Sequence, residues 1–460
     1  MGHPSDTRIG NAGNFSRGMR WVTQIIVDVV TSVALTALVG GWIIDGIAYW
    51  LSVGIQKRQS GLHDSRNPHS DLVGHRHEAR YTVSLRCGAD EGAWEGDAMA
   101  VDVLECLREL VAVNGPSGAE EQVAQAIGRL ARPLADSLEL DPLGNIIATR
   151  QATAHGARRL ILAAHMDEVG LLVRAIGPDG FLRIETLGGT DTRVLLGQRV
   201  WVRGDKGRML GVIGTRSVHL QRAADRATVP THAELYVDIG ARTAEEARRM
   251  GAREGDPAGF VGELAELGLA SGRYTAHALD DRAGCAILLA LLARFTGEPP
   301  PITLVALFTV QEEVGLRGAQ AAARGELCDL ALAVDTTAAD DTPEIGTLQL
   351  RLGAGPAVKV MDFSQIAHPA VRRGLLAAAA AAGVAVQHEI LAGIGTDAGA
   401  LQFGGRGTPA CTLSIGSRYT HSPVEVLDRA DLEAAVALLH RFVLALPDLD
   451  LRFTALDDAP

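Results

Sequence analysis

The chain has 460 residues, 47% hydrophobic and 21% charged, with a formal net charge of −12 at pH 7. That length exceeds one ordinary compact core, so two or three domains are expected. The acidic balance leaves no surplus of lysine and arginine for phosphate contacts, which excludes nucleic acid as the main partner.

Residues 1–98 differ in texture from everything after them. Residues 21–55 are apolar, with Asp28 and Asp45 as the charged interruptions. The cleanest part, 29–44, is shorter than the roughly 20 residues that cross a bilayer. Extending it to Ile55 places Asp45 in hydrocarbon, at about 2.5–3.5 kcal/mol on insertion scales. Residues 59–80 follow, polar and carrying His63, His69, His75 and His77 without metal-ligand spacing, which reads as a solvated tail. The expectation is that residues 1–98 stand outside the working enzyme, which starts at or near Met99. The competing expectation is a membrane anchor through residues 21–55.

From Met99 the texture is that of a folded domain. Val101, Leu104, Leu107, Leu110 and Val111 form a helical stripe, broken by Gly115-Pro116-Ser117-Gly118, and a second helix is predicted over 119–131, stopped by Pro133. Residues 160–164 are a short buried strand running into His165. From there to about Gly262 the chain is β-rich, with runs at 198–202, 209–213 and 233–239 separated by Gly and Asp turns and a helical interruption at 243–250. This predicts an inserted small barrel or sandwich over 173–263, between catalytic-domain parts 99–172 and 264–446, with a tail at 447–460.

The α/β texture returns at Asp280. Ala283, Ala286, Ile287, Ala290 and Leu291 mark a core-facing helix. The run Leu304-Val305-Ala306-Leu307-Phe308-Thr309-Val310 reads as a strand buried on both faces, and it ends in Glu312-Glu313. Another apolar strand, 330–334, runs into Asp335. Residues 371–382 are an alanine-rich helix, 393–399 a glycine-rich loop, 411–415 a strand that closes on the loop carrying His421, and 431–445 a last helix. Five widely spaced cysteines, Cys87, Cys106, Cys285, Cys328 and Cys411, form no C-x-x-C pair; they suit free thiols in a reducing compartment, so a cytoplasmic location is expected.

Four apolar strands thus lead to His165, to Glu312–Glu313, to Asp335 and to His421, and Asp280 stands at the mouth of a helix. Open α/β sheets bind ligands at the carboxyl ends of their strands. Two histidines with several carboxylates and no cysteine suit divalent ions such as Zn, Co or Mn, and the excess of carboxylate over what one zinc needs points to two ions sharing a bridge. Asp397 reads as an N-cap after the glycine-rich loop. Arg282 and Arg418 are left open between substrate contact and structural pairing.

Six blocks in order, His165-Met166-Asp167-Glu168-Val169-Gly170, Ala278-Leu279-Asp280-Asp281-Arg282, the stretch from Thr309 to Gly315, Asp335-Thr336-Thr337, Gly395-Thr396-Asp397-Ala398-Gly399 and Arg418-Tyr419-Thr420-His421-Ser422-Pro423-Val424-Glu425, resemble the tetrahedral (glutamyl and deblocking) aminopeptidases, which are dinuclear metallopeptidases. Val237-Asp238-Ile239-Gly240-Ala241 and Gly255-Asp256-Pro257 resemble stretches of that family's inserted domain. The resemblance spans about residues 100 to 445. It implies an α/β catalytic domain of the zinc-peptidase type, with a mixed central sheet, helices on both faces and an inserted small β-barrel. It implies that Asp280 bridges two metal ions, that His165 and Asp335 complete one site and Glu313 and His421 the other, that Glu312 is the general base, and that Asp167 orients His165 through its other ring nitrogen. The implied reaction removes the N-terminal residue from peptide substrates, and the implied assembly is a dimer through the insert, extending to a dodecamer.

The alternatives are a related dinuclear carboxypeptidase, dipeptidase or deacylase, which the insert's resemblance disfavours, and a glycosidase of endoglucanase type. A glycosidase pair flanks its bond about 5–9.5 Å apart, an arrangement that adjacent Glu312 and Glu313 do not suit and that leaves His165 and His421 without a role. A non-catalytic binding protein would have lost a base or ligand, and all six positions are present.

Overall fold

The computed structural model describes residues 101–453, apart from 223–227, 326–327 and 344–349. The apolar segment 21–55 and the histidine-bearing stretch after it lie outside these residues. Among the described residues no helix is long and apolar enough to cross a membrane.

Helix α1 (Val103–Val111) starts where Asp102 accepts the N–H of Leu104 at 2.8 Å, and it buries Leu104, Leu107, Leu110 and Val111. Helix α2 (Glu121–Ala131) begins two residues later than its apolar stripe predicts, because Glu120 first turns its carboxylate back onto the N–H of Gly118 at 2.8 Å. Strands β1 (Ser137–Leu140) and β2 (Ile146–Arg150) form a hairpin, and β3 (Arg159–His165) follows. The next six strands, β4 (Gly170–Ile176), β5 (Leu182–Leu187), β6 (Arg199–Gly204), β7 (Gly207–Gly214), β8 (Tyr236–Asp238) and β9 (Pro257–Phe260), close into a barrel in the order β4-β5-β8-β7-β6-β9, with helix α3 (Ala244–Met250) between the last two. The barrel has its own core of alternate residues, among them Leu171, Val173, Leu182, Ile184, Val200, Val202 and Phe260. Of the two expectations for the insert, barrel and sandwich, the barrel is what forms.

After β10 (Ala265–Glu266) and β11 (Arg273–Ala276) come helix α4 (Leu279–Ala293), β12 (Thr303–Thr309), helix α5 (Arg317–Gly325), β13 (Leu330–Ala338), β14 (Ala357–Met361), helix α6 (Pro369–Ala382), β15 (Gln387–Ile390), helix α7 (Asp397–Leu401), β16 (Ala410–Ser417), β17 (Glu425–Asp428) and helix α8 (Arg429–Ala445). The main sheet runs β1-β2-β12-β3-β13-β16-β14-β15. Its centre, β12-β3-β13-β16, is parallel, and β2 and β14 flank it antiparallel, so the sheet is mixed.

The continuous apolar runs follow from burial on both faces. Leu160, Leu162 and Ala164 of β3 and Leu304, Ala306 and Phe308 of β12 pack into the core that holds α1, α4 and α8. The residues between them, Ile161, Ala163, Val305 and Leu307, pack on the other face against Ala319, Ala322, Ala398 and Leu401 of α5 and α7. A parallel centre covered on both faces brings the carboxyl ends of four strands to one edge, which is where the charged residues stand.

Candidate active site

Strands β3 and β13 pair in parallel from Leu160↔Leu330 to Ala163↔Ala333, and that offset sets Asp335 level with His165. The two side chains meet there, Asp335 Oδ1 lying 3.7 Å from His165 Nε2. Asp335 is not at the end of its strand, as its sequence context predicts. The strand continues to Ala338, because β16 goes on pairing with it as far as Ala338↔Ser417 after β3 has stopped.

Asp280 and Asp281 stand at the start of α4 with non-helical backbone angles. The Asp280 carboxylate faces both histidines, Oδ1 lying 3.1 Å from His165 Nε2 and Oδ2 3.5 Å from His421 Nε2. Glu313 Oε2 is 3.2 Å from His421 Nε2, and Glu312 Oε2 is 4.0 Å from His165 Nε2. All six residues therefore come together, from five separate parts of the chain. His165, Asp280 and Glu313 each offer one atom within 4.8 Å of one another, as do His165, Asp281 and Asp335. Asp281, in the second group, has no role by sequence alone. Its oxygens are taken up by the N–H groups of His165 at 3.2 Å and Gly284 at 2.9 Å, and the residue is fully buried, so Asp280 is the carboxylate that faces the cavity.

The backbone around these residues is fixed by carboxylates that accept main-chain N–H groups. Asp167, fully buried, takes the N–H of Glu312 at 2.9 Å and of Glu313 at 3.2 Å, and Ser117 Oγ donates to it at 2.6 Å. The expected contact between Asp167 and His165 is made mainly from the main chain: Nδ1 of His165 is 3.2 Å from the Asp167 carbonyl and 3.6 Å from its carboxylate. Glu425, also buried, takes the N–H of Asp280 at 2.9 Å and of His421 at 2.7 Å. His421 adopts a left-handed backbone with φ of 62°, and its Nδ1 lies 2.7 Å from the carbonyl of Gly189, which belongs to the loop after β5 in the inserted barrel.

The roles left open by sequence resolve as follows. Arg282 is fully buried and donates to the carbonyls of Met166, Leu110 and Val113 at 2.8, 2.7 and 3.1 Å, while Glu168 beside it pairs with His277 at 2.7 Å. Arg418 makes a bidentate pair with Asp341, both bonds 2.7 Å. Neither arginine is free for substrate. Asp397 is not an N-cap. Thr396 occupies that position, and the Asp397 carboxylate is buried beneath the site, where it accepts the hydroxyl of Thr309. Ser117, Asp281 and Glu425 are the residues that sequence reasoning gave no role. The last two stand inside blocks that were recognisable, and Ser117 lies in a turn with no chemical signature.

The electrostatics are those of a negative cluster short of positive charge. Burial, with the charges of Asp335, Asp397 and Glu313, holds Glu312 well above the usual carboxylate range. Burial and Asp280 push Glu313 up to about 8, and burial raises Asp397 to about 7. Burial alone would lower His421, yet Glu313 and Asp280 lift it to about 10; His165 is raised by Asp167, Asp280 and Asp335 against the same opposing effect. Glu313 Oε1 is buried and has no hydrogen-bond partner among the described residues. Buried carboxylates are ordinarily paired with cations or coordinate metals, and two histidines do not balance this set. The donors fit divalent cations, with imidazole and carboxylate ligands and no thiolate.

These side chains line a cavity of about 420 Å³ whose remaining walls include Leu316, Thr337, Phe363 and Ile394. A larger cleft of about 750 Å³ lies between α2 and the β1–β2 hairpin. Neither group that could hold a metal ion is in it, so the smaller cavity is the candidate site.

Residues 144–438 match the family model described as M42 glutamyl aminopeptidase. The chain is 33% identical over 358 residues to the lysyl aminopeptidase of Pyrococcus furiosus, covering 75% of this chain and 98% of that protein. Among solved structures it resembles an aminopeptidase from the archaeon Desulfurococcus kamchatkensis, with 39% identity, a TM-score of 0.70 and coverage of 74% of this chain and 94% of that one. It also resembles the TET1 peptidase of Pyrococcus horikoshii, described as assembling into a tetrahedron or a large octahedral shell, with 33% identity, a TM-score of 0.67 and coverage of 74% and 99%. The chain belongs to the M42 glutamyl aminopeptidase family and is a metal-dependent aminopeptidase.

Proposed function

We propose that the enzyme removes the N-terminal residue from peptides with a pair of divalent ions, Zn, Co or Mn, held by His165, Asp280, Glu313, Asp335 and His421. The observation that carries this reading is the Asp280 carboxylate, which turns one oxygen to each histidine while Asp335 stands beside His165 and Glu313 beside His421. That arrangement suits a bridge with a separate histidine–carboxylate pair on either side. Such ions, when bound, supply Lewis acidity to the scissile carbonyl and lower the pKa of water.

Glu312 lines the same cavity and is the general base in this reading: its carboxylate accepts the proton of the attacking water and returns it to the leaving amine. Asp167 holds the main chain of the Glu312–Glu313 pair, so the two neighbours keep different directions, one toward a metal position and one toward water. Glu425 holds the segments that carry Asp280 and His421. A two-carboxylate glycosidase is not favoured, since the family is one of peptidases and such chemistry leaves both histidines idle.

We further propose a homo-oligomer in which the barrel is the dimer element and a dodecamer is the larger assembly, supported by the relative that forms closed shells. The free thiols support a cytoplasmic location.

The test uses metal-stripped protein with leucyl-, methionyl-, glutamyl- and lysyl-p-nitroanilides, and an N-acetylated peptide as control. Activity on free N-termini should appear only when Zn, Co or Mn is returned. Undiminished turnover after chelation, or equal cleavage of the blocked peptide, contradicts the reading.

A further inference from the structure

The cavity's lining is of two chemical kinds. One part is the carboxylates and histidines. Among the described residues the rest is Leu316, Ala338, Phe363, Ile394, three threonines and glycines, none of them charged.

The structure shows why that wall is apolar. The hydroxyl of Thr337 is turned away from solvent and donates to Glu389 at 2.8 Å, and Glu389 also receives Lys359 Nζ at 2.7 Å. Thr337, Glu389 and Lys359 are all buried, so the lysine behind the wall is already paired. Arg418, in the segment that leads to Thr420 and His421, is occupied by Asp341. Phe363 and Ile394 come from different loops that are joined main chain to main chain, the Phe363 N–H donating to the Ile394 carbonyl at 3.1 Å. The Phe363 ring lies across Gly395, where an added Cβ would come within 2.7 Å of it, and yet the residue remains 58% exposed. An apolar ring supported from behind and open in front is completed by another apolar surface.

We infer that the uncharged wall around Phe363 and Ile394 receives the side chain of the substrate's N-terminal residue and selects neutral, apolar side chains of leucine or methionine size. The inference rests on the aminopeptidase reading above and extends it to a substrate class. A glutamate side chain would find no cation among the described lining residues, and a lysine would be desolvated against Phe363 and Ile394. A charge buried without a partner is strongly penalised, so both are disfavoured, although the chain is related to enzymes named for glutamyl and lysyl residues.

The experiment measures kcat/KM on the metal-loaded full chain for leucyl-, methionyl-, glutamyl- and lysyl-p-nitroanilides. The leucyl and methionyl substrates should exceed the charged two by at least about 10-fold. The variant Ile394→Lys, on a half-buried loop, should shift the leucyl-to-glutamyl ratio toward glutamyl by at least about 10-fold. A glutamyl or lysyl substrate that is fastest overturns the inference while leaving an aminopeptidase in place. An unmoved ratio in Ile394→Lys overturns the assignment of this wall. Failure to cleave any of the four overturns the aminopeptidase reading itself, and this inference with it.

Discussion

At the residue scale, the proposed division of labour between Glu312 and Glu313 rests on where each carboxylate points. Glu313 reaches His421 and Glu312 the His165 side. Glu312→Gln should therefore keep its metal content, measured by plasma mass spectrometry, while kcat falls by at least about 10²-fold. Loss of metal would make Glu312 a ligand. Glu425 supports the site through two N–H groups and touches neither metal position directly. Glu425→Gln keeps one carbonyl acceptor but turns an amide donor toward a main-chain donor. Metal affinity should weaken by about 10- to 100-fold, the scale seen for residues that orient ligands. KM for a good substrate should change little at saturating metal; a KM effect with unchanged metal affinity would place Glu425 on the substrate side. The ligand candidates were legible in sequence because an acid or a histidine stands at or just after the end of each of four apolar strands, and Asp280 at the mouth of a helix. Glu425 and Asp281 were not, because their partners are main-chain N–H groups, which carry no signature in the sequence. Asp397 departs from its sequence expectation for a related reason: Asp is a favoured N-cap, but here its carboxylate is buried and accepts the hydroxyl of Thr309.

At the element scale, β3, β12 and β16 were legible as buried strands, since a parallel centre covered on both faces leaves nothing polar along its length. The extension of β13 past Asp335 was not, because it depends on a neighbour, β16, that outlasts β3. The insert was legible as β-rich, but closure depends on the pairing of β4 with β9, strands far apart in sequence. The barrel also reaches the site. The Gly189 carbonyl, 2.7 Å from His421 Nδ1, can only accept, which fixes Nδ1 as the protonated nitrogen. Its neighbour Gly188 has φ of +78°, and a Cβ there would lie 3.3 Å from Glu313 Oε2 and 2.8 Å from Val169 Cγ1. Gly188→Ala is expected to cost about 1 kcal/mol or more of stability, since the backbone is left-handed. It should also lower kcat/KM by at least about 10-fold, because it displaces Glu313. A thermal melt and a rate measurement check both; an unchanged rate would mean that the barrel loop does not bear on the site.

At the scale of the whole molecule, a catalytic α/β layer structure carries a barrel with an independent core, inserted where β3 ends at His165. An insert with its own core suits an assembly role without disturbing the sheet. Deleting residues 173–263 should leave a chain that sediments as a smaller species than the full protein; an unchanged sedimentation coefficient per chain mass would locate assembly elsewhere. Activity is a poor readout for that variant, since the deletion also removes Gly189. The central claim is that Asp280 bridges two ions in a peptidase site. Calorimetric titration of metal-stripped protein with Zn, Co or Mn, paired with the leucyl-p-nitroanilide rate at each addition, tests it most directly. Two equivalents per chain are expected, with full activity reached only as the second binds, and Asp280→Asn should hold fewer than two and lose its turnover. Full activity at one equivalent or none, or a fully loaded and active Asp280→Asn, would contradict the account.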